Sequence, residues 1–307
     1  MKREELMGHG AIFGANFLWG VMSPITKMIF IGGIISPFVL IGLRMAGAAI
    51  LFWLFALLTG IEKVKTRDIF LFLVAAVLGV VCNQGVYTLG LSMTSPVDAS
   101  VISTSTPIFT MVIAAIYLRE PMTVKKIGGV LLGAVGAVVL VLSSADKSVG
   151  LGGSALGDAL CIFAELCFAS YLVFFKALIS RYSPMTVMRW MFTWATILVL
   201  PFTVGDMTEV EWASLDWATI GGLAYVVVIA TFVCYFLSPI GQKYLRPTVV
   251  SMYFYVQPIM ATILATIMGT AGTFGIVKIV SIIMIFTGVL LVMRSKSRAE
   301  VEAEGKA

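Results

Sequence analysis

The sequence predicts an all-α membrane protein with ten transmembrane helices, arranged as a 5+5 inverted-topology repeat with both termini in the cytoplasm. Three observations predict this fold: the composition, the length of the apolar segments and the distribution of positive charge. Hydrophobic residues make up 60% of the 307 positions and charged residues only 12%, whereas a soluble domain carries about 25% charged residues. Lipid must therefore surround most of the surface of this protein.

Apolar segments long enough to cross a bilayer follow one another along the whole chain. A span needs about 20 apolar residues, since each helical residue rises ~1.5 Å through ~30 Å of hydrocarbon. Runs of this length must be helical because lipid offers no partners to unpaired backbone groups. Helices are expected at 10–30, 36–58, 68–92, 95–118, 124–143, 156–178, 184–205, 217–240, 247–269 and 274–294.

Positive charge indicates which ends of these helices face the cytoplasm. Lys and Arg are found at both termini and at every second connection, and the alternate connections hold almost none apart from Lys147. The connection at 206–216 carries acidic residues and no Lys or Arg. Because positively charged loops stay on the cytoplasmic side, we expect both termini on the cytoplasmic side of a bacterial inner membrane. The same distribution argues against nucleic acid as a partner, despite the net charge of +5.

The two halves of the chain share a spaced pattern at an offset of 151 residues. The matching positions are Gly90/Gly241, Pro96/Pro247, Ser100/Ser251, Pro107/Pro258, Ala114/Ala265 and Ile116/Ile267. Five helices per repeat is an odd number, so the second copy must enter the membrane from the opposite face. The loop before the first of these prolines is uncharged, whereas its counterpart carries Lys243 and Arg246. We therefore expect one repeat at 1–145, a second at 152–298 and a cytoplasmic tail at 299–307.

Four motifs occur in order along this repeat. They are Phe17-Leu18-Trp19-Gly20 in helix 1, Pro107 with Glu120 in helix 4, Gly128 to Gly136 in helix 5, and Pro258 with Gly288 in helices 9 and 10. With them the sequence resembles the drug/metabolite transporter superfamily, specifically its EamA-type members with ten helices. The resemblance implies an exporter or exchanger of metabolites, amino acids and drug-like compounds among them, with a cavity lined chiefly by helices 1, 3, 4, 6, 8 and 9. One departure is that Glu120 has Ala271 at the matching position of the second half.

Polar and aromatic side chains in the middle of these helices are the candidates for substrate binding. A polar group deep in a span is expensive, so it usually faces a cavity or another polar group. The candidates are Asn16, Trp19, Asn83, Gln84, Tyr87, Ser103, Thr104, Thr106, Glu165, Phe168, Tyr171, Tyr235, Tyr253, Tyr255 and Gln257. An aromatic wall would suit amphipathic solutes and could hold an ammonium group by cation–π contact. The alternative for each residue is a structural role between packed helices.

Glu165 is the most informative of these candidates. It lies near the middle of helix 6, where an acidic group costs roughly 2.5–3.5 kcal/mol on insertion scales. Such a carboxyl group faces water or a partner, or it stays protonated. We expect Glu165 to face the pathway, where it contacts a substrate amine or carries a coupling proton.

Five further residues are assigned to gating or helix shape: Pro107, Pro258, Asp98, Glu120 and Arg44. Each proline removes a backbone hydrogen bond in mid-helix, which frees a carbonyl for the cavity or sets a bend. Asp98 is expected at an outer gate or interface, and Glu120 is expected to pin the cytoplasmic end of the first repeat. Arg44 could bind a carboxylate in bidentate fashion, or its side chain could extend to the interface.

Transport by alternating access is the function class that fits these features best. A membrane-embedded enzyme would need a set of catalytic groups, but the chain has one histidine, scattered cysteines and a single deep Glu. A channel usually shows a filter motif or rings of like residues, and none is visible. No cofactor or metal is expected, and the partners are a small-molecule substrate and membrane lipid, with the chain as a monomer or homodimer. A carrier of organic anions is the alternative, although helix 9 contains no Lys or Arg.

Overall fold

The computed structural model describes residues 3–31, 33–94, 96–144, 154–267, 275–296 and 301. Within these ranges every regular element is helical, and they contain no β-strand. Lys147, Ala271, the junction between the two expected repeats and nearly all of the expected tail lie outside the described residues. So does the side chain of Asp98.

The helical segments follow the expected order. They are α1 (Arg3–Ile31), α2 (Pro37–Thr59), α3 (Thr66–Ala76, Val77–Val86 and Tyr87–Met93), α4 (Pro96–Ser103 and Thr106–Tyr117), α5 (Val124–Ser144), α6 (Ala155–Phe174), α7 (Pro184–Glu209), α8 (Trp217–Ala224, Tyr225–Val233 and Cys234–Tyr244), α9 (Pro247–Met252, Tyr253–Tyr255 and Val256–Ile267) and α10 (Ile276–Met293). A short helix at Lys176–Ile179 follows α6, and a 3₁₀ turn at Trp212–Ser214 precedes α8.

Among the described residues, nine segments are long and apolar enough to cross a membrane, namely α2 to α10. The multi-pass helical class is thereby confirmed. Segment α1, with 29 residues, is not among the nine, so the number of ten spans stays a prediction, as does the orientation of the termini.

Both halves begin their second helix in the same way. Ser36 precedes α2 and its hydroxyl accepts a hydrogen bond from the Val39 amide at 3.2 Å. Ser183 precedes α7 and accepts one from the Thr186 amide at 3.3 Å. Each Ser-Pro pair thus supplies an N-cap followed by a proline in the first turn, where its missing N–H costs nothing.

The helices pack in a pattern that is unchanged when the first five are exchanged with the last five. Helix α2 packs along α7 and α5 along α10, while α1 packs against α8 and α9, and α6 packs against α3 and α4. Gly42 lies against Thr203, and further along α2 Phe52 lies 5.5 Å from Phe192, ring centre to ring centre. Later residues of α2 thus contact earlier residues of α7, so the two helices are antiparallel. An inverted repeat requires this relation between equivalent helices.

The backbone of α4 and α9 is interrupted at equivalent places because of proline. Pro107 has no N–H for the carbonyl of Ser103, and α4 breaks between Ser103 and Thr106; the Thr106 hydroxyl donates to that carbonyl instead, at 2.9 Å. Pro258 likewise offers no N–H to Phe254, which lies in a 3₁₀ turn. The sequence predicts one span in each place with a hydrogen bond lost at the proline, and the structure shows that this missing donor interrupts the helix.

Helices α3 and α8 also deviate from regular geometry in corresponding regions. Val77–Val86 and Tyr225–Val233 are wound as π-helix, a form that is rare and often found at functional sites. With the breaks in α4 and α9 there are four irregular segments among the described residues, and each contains buried residues. Irregular backbone is tolerated at membrane depth where protein rather than lipid surrounds it.

Candidate functional site

A buried carboxylate lies where α6 crosses the break in α4. Glu165 is 6% exposed, and its Oε1 is 2.9 Å from the Ser103 hydroxyl. Its Oε2 accepts a hydrogen bond from the Thr106 hydroxyl. The Tyr87 hydroxyl lies 3.2 Å from Ser103 and extends this cluster to α3. Within the described part of the chain, no Lys or Arg nitrogen lies within 4.0 Å of the Glu165 carboxylate.

The repeat relates this arrangement to a second pair of polar residues, which is neutral. Gln257 of α9 donates from Nε2 to Oδ1 of Asn16 in α1 at 2.8 Å, and Asn16 donates to the Ile12 carbonyl at 2.8 Å. Gln257 follows Thr106 by 151 positions, and Glu165 follows Asn16 by 149. The amide pair between α1 and α9 therefore corresponds to the carboxylate–hydroxyl pair between α6 and α4, which leaves the centre of the protein electrically asymmetric.

Aromatic rings fill the space between these two polar pairs. Trp19 donates from Nε1 to the Ala230 carbonyl at 2.7 Å, and its ring meets Tyr235 edge-on, with centroids 5.3 Å apart. Phe254 bridges the two halves, with centroids 6.0 Å from Trp19 and 5.2 Å from Phe168. Phe254 was missed by sequence reasoning. The signal was Pro258 four residues later, because the 3₁₀ turn that it causes directs Phe254 to this cluster.

Gln84 and Tyr235 join the two halves at this centre. Gln84 donates from Nε2 to the Tyr235 hydroxyl, while its Oε1 is buried without a partner. Arg44 donates to Thr231, the residue after Ala230, whose carbonyl accepts from Trp19. Phe168 follows Glu165 by one turn of α6 and packs on Phe254. The aromatic cluster therefore connects Arg44 of α2 with Glu165 of α6.

Arg44 is buried in the protein instead of extending to the interface. It is 6% exposed, and its Nε donates to the Thr231 hydroxyl in the π-helical part of α8 at 2.9 Å. Thr231 in turn donates to the Val226 carbonyl at 2.7 Å. The π-helical backbone therefore fixes the orientation of the hydroxyl that holds the guanidinium group.

Several candidates lie at the edge of this centre or away from it. Asn83 donates to the Ala164 carbonyl at 3.4 Å, and the hydroxyl of Thr104 returns to the Val101 carbonyl of its own helix at 2.6 Å. The ring of Tyr171 packs on Gly79 of α3 and stands 5.7 Å from Phe168.

Two tyrosines of α9 point elsewhere. The ring of Tyr255 packs on Gly133 of α5, and its hydroxyl is 3.3 Å from the Val130 carbonyl. The Tyr253 hydroxyl contacts His9 of α1 at 2.8 Å. Neither side chain joins the central cluster, because the 3₁₀ turn rotates them to either side of Phe254.

The predicted cytoplasmic end is held together by buried charges. Glu120 forms an ion pair with Lys126 at 2.8 Å, and the Thr248 hydroxyl donates to the same carboxylate at 3.0 Å. The Lys176 ammonium donates to the carbonyls of Lys243 and Leu245, at 2.9 and 2.8 Å, and to a third carbonyl at the end of α8. These contacts tie together the ends of α4, α5, α6, α8 and α9.

The opposite end of the bundle is more loosely packed in the ranges that the structure describes. Thr106–Tyr117 of α4 packs against Pro247–Met252 of α9, every residue of which is buried. Among the described residues, the pair related to it by the repeat, Pro96–Ser103 and Val256–Ile267, packs together much less closely. Within this part of the chain the two ends of the bundle are therefore not equivalent.

Apolar helices enclosing a polar and aromatic centre define a multi-pass membrane protein of transporter architecture. The chain matches the EamA-like transporter family over residues 6–142 and 155–294, and it belongs to that family. The resemblance to EamA-type drug/metabolite transporters is thus confirmed. The two matched segments each contain five of the helical segments α1 to α10.

Proteins named as transporters are among the relatives of the chain. It is 20% identical over 244 residues to the uncharacterized transporter YyaM of Bacillus subtilis (strain 168), with 79% of each chain covered. Its identity to YetK of the same organism is 22% over 271 residues, covering 87% of this chain and 81% of the relative. A WAT1-related protein of Arabidopsis thaliana is 22% identical over 319 residues, with 95% and 80% covered.

A solved crystal structure has the same fold. It superposes with a TM-score of 0.75 at 17% sequence identity, and the alignment covers 94% of this chain and 95% of the other.

Proposed function

We propose that this protein is a secondary transporter that exports or exchanges small amphipathic solutes bearing an amine, amino acids among them. The observation that carries the proposal is Glu165, a buried carboxylate that accepts hydrogen bonds from hydroxyls and has no cationic partner in the described residues. A buried charge without an opposite charge is costly. A substrate ammonium group or a proton would remove that cost, and the two would exclude each other.

The surroundings of Glu165 support an amphipathic solute. The aromatic cluster of Trp19, Tyr235, Phe254 and Phe168 offers apolar surface and ring faces. Ring faces attract ammonium groups as well as apolar bodies. A carboxylate next to such a wall suits a molecule with an amine at one end and a hydrophobic part at the other.

Alternating access is the mechanism that we propose for this site. The tight contacts at Glu120 and Lys176 close one end, while the repeat-related contacts at the other end are sparse. In transporters built from inverted repeats, one half moves against the other and exchanges which end is closed. This conformation then corresponds to a protein closed at the predicted cytoplasmic side.

A carrier of organic anions is the second candidate, and Arg44 is the observation that favours it. The buried guanidinium would attract an anion. Glu165 would repel the same anion, because it adjoins the same aromatic cluster as Arg44. The carboxylate therefore makes an amine-bearing solute the first choice.

Flux measurements on proteoliposomes test the proposal. The purified chain is reconstituted, and uptake and exchange of labelled amino acids and amines are followed at several pH values. Glu165→Gln should abolish flux or its pH dependence, and Glu209→Gln, which alters an exposed carboxylate at the end of α7, should leave both intact. Thermal unfolding and gel filtration check that each variant folds. Unchanged pH-dependent flux in the Glu165→Gln variant contradicts the assignment.

A further inference from the structure

We propose that Arg44 is the carboxylate-binding group of the central site, so that the substrate is held between a cation on α2 and the anion on α6. The inference rests on the proposed function, since it takes Glu165 as the position of the substrate amine. It adds a second charged group, Arg44, to the site and predicts that the substrate carries a carboxylate as well as an amine.

The contacts of Arg44 leave most of its hydrogen-bonding capacity free. Among the described residues, only Nε has a partner, the Thr231 hydroxyl at 2.9 Å. No Asp or Glu oxygen of these residues lies within 4.0 Å of the guanidinium. Its two terminal nitrogens have no partner there either, and, unlike Nε of Arg189, neither is completely enclosed by protein atoms. The terminal end of Arg44 is therefore available to a ligand.

Other buried cations of the protein have a structural explanation that Arg44 lacks. Arg189 lies over the ring of Trp53 at 4.7 Å and donates to the Glu62 carbonyl at 3.3 Å. Lys126 forms its ion pair with Glu120, and Lys176 donates to backbone carbonyls. A guanidinium that is held at one nitrogen and open at the other two has the geometry of a ligand-binding group.

The location of Arg44 relative to Glu165 determines which ligand fits. Both residues adjoin the aromatic cluster, Arg44 through Thr231 and Glu165 through Phe168 one turn later on α6. The two charges do not form an ion pair with each other. Separated opposite charges in a protein interior are costly unless each is compensated. A zwitterion with its carboxylate at Arg44 and its ammonium at Glu165 compensates both charges at once.

The shape of the guanidinium favours a carboxylate at this pole. With Nε fixed by Thr231, the terminal nitrogens project as a planar fork, which matches the two oxygens of a carboxylate. A dianionic group such as a phosphate would exceed the single compensating charge and would be repelled by Glu165. The site thus selects monoanionic carboxylates joined to an amine.

Matched ligands separate the two poles in a binding experiment. Phenylalanine carries both an amine and a carboxylate, phenethylamine carries only the amine, and 3-phenylpropionate carries only the carboxylate. Leucine and lysine are tested with their corresponding analogues. Affinities are measured on the full chain in nanodiscs. The wild type should bind the amino acid about tenfold tighter than its amine, a difference of about 1.4 kcal/mol. Arg44→Gln should erase that preference by weakening binding of the amino acid, and Arg44→Lys should restore part of it.

The variants distinguish this inference from the proposed function. Glu165→Gln should weaken binding of the amino acid and the amine alike. If Arg44→Gln keeps the preference for the amino acid, or if the wild type shows no such preference, the carboxylate site is refuted while amine binding can still stand. If no ligand of the three sets binds the wild type, both proposals fail. Thr231→Val, which keeps the charge and frees Nε, should reduce the preference severalfold, and this variant decides the question if the Arg44 variants do not fold.

Discussion

Gln84 and Tyr235 occupy equivalent positions in the two repeats, 151 residues apart, and their side chains are hydrogen-bonded to each other. Equivalent residues can meet in this way only where the axis that relates the two halves passes between them. The contact therefore marks the centre of the inverted repeat. Both residues are buried, and the central rings and the two charged poles are arranged around them.

The first prediction concerns the strength of this contact. Tyr235→Phe removes the hydroxyl and leaves the Gln84 amide, whose Oε1 already lacks a partner, without any partner. An unsatisfied buried polar group costs about 1–3 kcal/mol, whereas replacing both partners by apolar groups is nearly neutral. Tyr235→Phe should therefore lower the thermal midpoint clearly, and Gln84→Leu combined with Tyr235→Phe should recover much of the loss.

Thermal unfolding of the purified protein in detergent measures this double-mutant cycle. Tyr117→Phe serves as the matched control, since Tyr117 is 58% exposed and should tolerate the same change. Additive losses in the double variant would mean that the two side chains do not depend on each other, contrary to the contact described.

The second prediction concerns the closed end of the bundle. Glu120→Gln leaves the Lys126 ammonium, which is 1% exposed, without its counter-ion. Removing one partner of a buried pair costs about 3–5 kcal/mol, so the packing of α4 against Pro247–Met252 should loosen. Hydrogen–deuterium exchange of the peptide that contains 247–252 should accelerate relative to the wild type.

Two variants control the experiment at Glu120. Lys125→Gln removes an exposed charge next to Lys126 and should leave the exchange rate unchanged. Glu120→Gln combined with Lys126→Met leaves no uncompensated charge, so it should restore much of the protection. Equal protection in the wild type and the Glu120→Gln variant would show that the ion pair does not hold this end closed.

The third prediction concerns pH, and it involves the single histidine of the chain. Burial lowers the pKa of His9 from 6.5, and the Glu5 carboxylate opposes that shift. Below about pH 6.5 the unfolded chain binds a proton at His9 more readily than the folded chain does. The stability that the neutral ring contributes is therefore lost as the pH falls. The stability difference between the wild type and His9→Asn should therefore shrink on acidification.

Unfolding midpoints from about pH 8 to about pH 5.5 test this linkage, since His titrates in that range. Comparing the two proteins at each pH cancels the contributions of all other titrating groups. Tyr253→Phe, which removes the contact of His9 at 2.8 Å, should lower stability at neutral pH. A difference that is constant with pH would refute the lowered pKa.

The sequence predicted much of the fold because its signals come from composition and spacing. The apolar runs located the helices, and the offset of 151 paired α4 with α9 as the structure does. The offset of 149 between Asn16 and Glu165 was hidden, because the connections of the two halves differ in length. The packing shows this offset. Gly90 lies against Cys161 and Gly241 lies against Ile12, and the repeat relates these two contacts between the halves to each other.

The central residues were harder to predict because helix periodicity fails at the interruptions. Their position in the middle of helix 9 made Tyr253 and Tyr255 candidates, whereas the 3₁₀ turn directs Phe254 to the centre and Tyr255 to α5. For Arg44 the sequence left two alternatives. The hydrogen bond to Thr231 in the π-helical part of α8 holds the side chain inside the protein, and no local sequence pattern predicts that turn.

The last prediction concerns the contact between α5 and α10. A Cβ atom on Gly129 would lie 2.7 Å from the backbone oxygen of Gly288, and one on Gly288 would lie 2.5 Å from that of Gly129. Backbone cannot move aside as a side chain can, so the helices would separate. Gly129→Ala should destabilise the protein by about 1–3 kcal/mol through overpacking, measured as a lower thermal midpoint.

The neighbouring glycine provides the control for that substitution. Gly128 is exposed and a Cβ atom there meets nothing within 4 Å, so Gly128→Ala should be neutral or stabilise the helix by up to about 1 kcal/mol. Gly288→Ala disturbs the same contact as Gly129→Ala, and the two losses should be less than additive because the first already separates the helices. Equal midpoints for Gly128→Ala and Gly129→Ala would refute the close approach of α5 and α10, and with it the antiparallel pairing of equivalent helices at this end of the repeat.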